Sequence, residues 1–119
     1  MPSHTMELPR QIVVGEKNIG DIGNFLNSLK KTKKVSLISG SNVKKIVQKK
    51  IEASLRASKI SGFWYLAKTN DQKTIQEIEK KVRQSKSELV IGIGGGRSVD
   101  IAKLIGFNLN KPFVSVPTS

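Results

Sequence analysis

Apolar residues along this chain follow two rhythms, short continuous runs and stripes spaced three and four apart, which predict strands alternating with helices. Gln11-Ile12-Val13-Val14, closed by Gly15, reads as a strand and a turn. Ile19, Ile22, Leu26 and Leu29 then mark one face of a helix, and the lysines from Lys30 to Lys34 suit the negative end of its dipole. Val35-Ser36-Leu37-Ile38-Ser39 is a buried-strand candidate, followed by the turn Gly40-Ser41-Asn42. Val43, Ile46, Val47, Ile51 and Leu55 predict a second amphipathic helix with a lysine-rich outer face. After Gly62, Phe63-Trp64-Tyr65-Leu66 makes a third strand, and Thr69-Asn70-Asp71 opens a helix carrying Ile75, Ile78 and Val82. On that helix Glu77 and Lys81, and Glu79 and Arg83, are four apart, each pair worth on the order of 0.3 kcal/mol at the surface. Leu89-Val90-Ile91-Gly92-Ile93 is the most continuous apolar run; Val99, Ala102 and Ile105 mark a fourth helix, and Phe113-Val114-Ser115-Val116 a last strand ending in Pro117-Thr118-Ser119.

Such alternation implies βαβ units, whose right-handed crossovers place helices on both faces of a mostly parallel sheet, so the expected fold is α/β and doubly wound. A chain of 119 residues suits one such domain, with residues 1–7 as a flexible tail that holds the only histidine, His4. The chain contains no run of eighteen apolar residues and its first residues lack the apolar core of a signal peptide, which leads to the expectation of a soluble cytoplasmic protein. The absence of cysteine excludes disulfides, thiolate nucleophiles and cysteine-based zinc sites. The net charge of +12 raises the alternative of a basic module for nucleotides or nucleic acid. Its distribution weighs against nucleic acid: Lys30, Lys31, Lys33, Lys34, Lys44, Lys45, Lys49 and Lys50 fall on helix ends and polar faces. The consecutive Phe63-Trp64-Tyr65 suits a buried strand better than a platform for successive bases.

The chemistry concentrates in Gly92-Ile93-Gly94-Gly95-Gly96-Arg97-Ser98. A strand delivers the chain to glycines that permit positive φ and close backbone approach, and a helix starts at once with unspent N–H groups, an arrangement suited to a diphosphate. A tight strand-to-helix turn without a ligand is the plainer alternative. The spacing is neither GxGxxG, since Arg97 stands where the third glycine would be, nor a P-loop, since no GK[ST] follows. A Rossmann fingerprint also follows the first strand, whereas this loop follows the fourth. Asp100 either stabilises the helix N-terminus or reaches a ligand, with the first favoured on physical grounds. Arg97 either clamps a phosphate or is an ordinary surface arginine, and Lys103 is as well explained by a solvated face. If the last strand lies beside the glycine-loop strand, Thr118 and Ser119 reach the same crevice; Gly40-Ser41-Asn42 is a weaker candidate for its adenosine side.

The strings Gly94-Gly95-Gly96-Arg97-Ser98-Val99-Asp100-Ile101-Ala102-Lys103 and Val116-Pro117-Thr118-Ser119 resemble those of archaeal glycerol-1-phosphate dehydrogenases, from about Leu8 to the end. That family is grouped with glycerol dehydrogenases, iron-containing alcohol dehydrogenases and dehydroquinate synthases, and Arg97 is the letter that points to the glycerol-1-phosphate branch; other members of the grouping are the alternative. The resemblance implies a two-domain dehydroquinate synthase-like fold in which residues 8–119 form a truncated NAD(P)-binding domain. A following helical domain, absent from this chain, would hold a catalytic zinc. It implies NAD(P)H-dependent reduction of dihydroxyacetone phosphate to sn-glycerol 1-phosphate for archaeal membrane phospholipids, with a homo-oligomer compatible. Gly94, Gly95, Gly96, Arg97, Ser98, Val99 and Asp100 match the family's cofactor loop, and Thr118 and Ser119 the start of its second one. The resemblance places no catalytic residue and no metal ligand in this chain, which alone is expected to be inactive.

Overall fold

The structure, a computed structural model, describes residues 11–13, 15–29 and 31–118. Five strands, β1 (Gln11–Val13), β2 (Lys34–Ser39), β3 (Ser61–Leu66), β4 (Leu89–Gly94) and β5 (Phe113–Pro117), form one sheet in the order β1-β5-β4-β2-β3. Every pairing is parallel. The helices are α1 (Ile22–Leu29), α2 (Ser41–Ala57), α3 (Gln72–Ser85) and α4 (Gly96–Leu109).

β4 shows why both faces of the sheet are covered. Leu89, Ile91 and Ile93 pack with Ile22 and Leu26 of α1 and Val47, Ile51 and Leu55 of α2. Val90 points the other way and packs with Ile78 and Val82 of α3 and Ile101, Ala102 and Ile105 of α4. A strand buried on both sides has no polar alternation, hence its continuous apolar run. Gly92 lies on the α4 side, where a Cβ would stand 2.8 Å from that of Ala102 and 3.0 Å from Val99 Cα. Its missing side chain lets α4 lie close on the sheet.

Several local expectations need correction. The first helical stripe is split: a 3-10 turn (Glu16–Asp21) carries buried Ile19, and only α1 is α-helical, with Leu29 exposed. α1 has no basic residue in its last turn; Lys31 and Lys33 follow it as exposed loop and Lys34 opens β2. Gly40-Ser41-Asn42 is no free-standing turn, because α2 begins at Ser41. Ile46 stands 80% exposed, since the stripe of Val47, Ile51 and Leu55 already faces the sheet and Ile46 is one residue off it. Phe63, Trp64 and Tyr65 are half-buried, because β3 is an edge strand. Glu79 and Arg83 pair at 3.5 Å, while among the described residues no Glu77–Lys81 bridge forms. Among those residues no helix is long and apolar enough to cross a membrane. His4, Val14, Lys30 and the 1–7 tail lie outside them.

Candidate dinucleotide site

β2 and β4 are neighbours, yet α2 leaves β2 for one face of the sheet and α4 leaves β4 for the other. Between two such strands the following loops diverge and leave a crevice at the carboxyl edge, the position where open α/β sheets take ligands. The glycine loop follows the fourth strand in sequence but sits in the middle of the sheet, between β2 and β5. Position along the chain therefore does not count against it.

The turn is built for close approach. Gly94 has φ +117°, a conformation that L side chains rarely adopt, and a Cβ there would stand 3.2 Å from Val43 Cγ2 at the start of α2. Gly95 is the N-cap of α4 in extended conformation, with φ −83° and no side-chain cap. The Val99 N–H donates to the Gly95 carbonyl at 3.3 Å, closing the first helical turn. The N–H groups of Gly96, Arg97 and Ser98 precede that bond and have no intrahelical acceptor. A Cβ on Gly95 or Gly96 would meet nothing within 4 Å. The space their side chains would fill is open beside three unspent donors at the positive end of a helix. α2 starts across the crevice in the same way, on Gly40 with no side-chain cap.

The other candidates separate by what they touch. Ser98 is buried and Val99 packs into the α3–α4 core, so their side chains support the turn from beneath. Asp100 does not serve as the expected stabiliser of the helix start: α4 begins at Gly96 and has no acid in its first turn, which places Asp100, exposed, beyond the reach of the helix-end charge. Lys103 is exposed. Arg97 is exposed and its Nη1 donates to the Lys68 carbonyl at 2.9 Å, beyond the end of β3. β5 does lie beside β4, with Pro117 opposite Gly94, and the Thr118 N–H donates to the Gly94 carbonyl at a long 3.5 Å. Ser119 lies outside the described residues. Val43 and Lys68 were not among the expected site residues. Val43 carries only a core signal in the sequence, and the Lys68 carbonyl carries none, being 29 positions from Arg97.

The open space beside three helix-start N–H groups is chemistry suited to a diphosphate and offers no donor set for a metal ion. Among the described residues no group of three His, Cys, Asp or Glu side chains could hold a metal ion.

The chain is similar to a glycerol-1-phosphate dehydrogenase, NAD(P)+, of Nitrosopumilus maritimus, 60% identical over 119 residues, covering 100% of this chain and 34% of that protein. A protein of the same name from Cenarchaeum symbiosum is 54% identical with the same coverage. The chain thus spans about a third of the length of these curated relatives. The crystal structure of glycerol dehydrogenase from Schizosaccharomyces pombe has the same fold, with a TM-score of 0.78 at 22% identity over 92% of this chain and 28% of that one. The family model described as iron-containing alcohol dehydrogenase matches residues 13–119, from the end of β1 through the glycine turn and β5. By that match the chain belongs to the iron-containing alcohol dehydrogenase family.

Proposed function

We propose that the crevice between the ends of β2 and β4 holds the pyrophosphate of NAD or NADP. In this reading residues 8–119 are the cofactor domain of a cytoplasmic glycerol-1-phosphate dehydrogenase that reduces dihydroxyacetone phosphate to sn-glycerol 1-phosphate. The zinc belongs to a second, helical domain, and the bound cofactor supplies the hydride. This chain's residues bind and orient the cofactor: the Gly96, Arg97 and Ser98 N–H groups face the diphosphate, Gly94 keeps the turn tight, and Thr118 borders the crevice on the β5 side. The observation that carries the reading is the open side-chain space at Gly95 and Gly96 beside those three donors. The choice of substrate is supported by the similarity to the glycerol-1-phosphate dehydrogenases of Nitrosopumilus maritimus and Cenarchaeum symbiosum.

Gly95→Val tests it. The extended backbone at Gly95 accepts a side chain and a Cβ there meets no atom within 4 Å, so the fold stands while the added methyls enter the phosphate's space. Fluorescence titration is expected to show NADH affinity reduced by about tenfold or more, the loss that goes with one or two displaced hydrogen bonds. Unchanged affinity overturns the assignment. Salt-dependent binding of a generic duplex with no NADH binding would put a basic nucleic-acid module in its place.

A further inference from the structure

We infer that Arg97 reads the 2′-phosphate of the adenosine ribose and makes this crevice selective for NADP(H) over NAD(H), an inference that rests on the dinucleotide reading above. The Arg97 side chain is aimed away from the Gly95–Gly96 cradle. It leaves the second residue of α4 and reaches the Lys68 carbonyl past the end of β3, with β2 lying between the two strands. β3 lies two strands from β4, a spacing of about 10 Å, so the Lys68 contact draws the guanidinium toward the β3 side of the edge, where the inference puts the adenosine ribose. Its contact with Lys68 uses one of five N–H donors. The rest form a planar, permanently charged fork that suits a phosphate.

The surroundings agree in sign. NAD-selective sites in open α/β sheets place a carboxylate where it can bond the ribose 2′-hydroxyl, and a carboxylate there repels a 2′-phosphate. Here the end of β2 reads Ser39-Gly40-Ser41-Asn42, with no acid. Past the end of β3, Lys68 adds a second cation. The acid in that loop, Asp71, is turned into its own helix, accepting from the Thr69 hydroxyl at 2.7 Å and the Thr74 N–H at 2.8 Å. On the opposite side, β5 ends in the uncharged Pro117-Thr118. At the β3 end of this edge Arg97 and Lys68 are both cations, which suits a nucleoside that carries an additional phosphate.

The test compares NADPH and NADH binding to the whole chain, with 2′,5′-ADP and 5′-ADP as shorter probes, for the native sequence, Arg97→Ala, Arg97→Lys and Gly95→Val. The native chain is expected to prefer NADPH. Arg97→Ala lowers the NADPH-to-NADH affinity ratio by about tenfold to a hundredfold, the range of charge-assisted hydrogen bonds, and Arg97→Lys restores part of it. An unchanged ratio in Arg97→Ala, whether both affinities fall together or neither moves, overturns the inference, as does a native preference for NADH. Gly95→Val keeps the two readings apart. If it weakens both cofactors while Arg97→Ala leaves the ratio unmoved, the crevice stands and the role of Arg97 falls; if it weakens neither, the crevice assignment itself falls.

Discussion

Asp71 shows what one side chain does when the backbone around it is arranged to receive it. It is the N-cap of α3, and the Thr69 hydroxyl first, then the Thr74 N–H and hydroxyl and the Lys73 charge, hold its pKa below the ordinary 3.8. A depressed carboxyl pKa contributes stability that is complete above the unfolded value and is lost as pH falls through the folded one. Asp71→Ala is therefore expected to lower the melting temperature by a few degrees at neutral pH, and the gap to the native chain should close in acid, below 3.8. Asp71→Asn, which caps without a charge, should show no such closing; thermal melts from neutral to acid pH check both. Thr69-Asn70-Asp71 was legible as a helix opening because capping is a local matter of a few residues. The partner of Arg97 was not, since a carbonyl acceptor leaves no trace in the residue type that carries it. The same limit applies to Asp100, whose role turned on where α4 begins, to within one residue.

Two glycines, Gly92 in β4 and Gly95 at the N-cap of α4, separate a packing position from an open one. Gly92→Ala would push a methyl to 2.8 Å from Ala102 Cβ and against the Val99 backbone, so it should cost about 1–3 kcal/mol in urea unfolding, as overpacking does. Gly95→Ala, three positions on, meets open space and should stay within about 0.5 kcal/mol of the native chain. All five strands and the four helical stripes could be read from periodicity, because burial on one or both faces imposes it directly. What the pattern misplaced lay at margins. The stripe containing Ile19 divides between a 3-10 turn and α1, and Ile46 looks like core by type but falls one residue off the buried line of α2.

At the scale of the whole molecule, the crevice proposed as the site follows from strand order. Neither loop makes the crevice alone; β2 and β4 do so by lying side by side while their helices part. Alternation of strands and helices foretold the layers but carries no record of which strands are neighbours, so the central place of the glycine loop emerged only from the pairing. That order also has a consequence for how the chain is made. β1, an edge strand, pairs only with β5, Gln11 opposite Phe113. During synthesis β1 must wait for this partner until β5, some hundred residues further on, has left the ribosome. Long-range pairing of this kind is slow to close. Pulse-labelling hydrogen exchange during refolding should find the amides of residues 11–13 protected after those of β2 and β4, whereas simultaneous protection would mean that β1 docks by another route. Of the described strands, the one made first is the one whose pairing spans the longest stretch of chain.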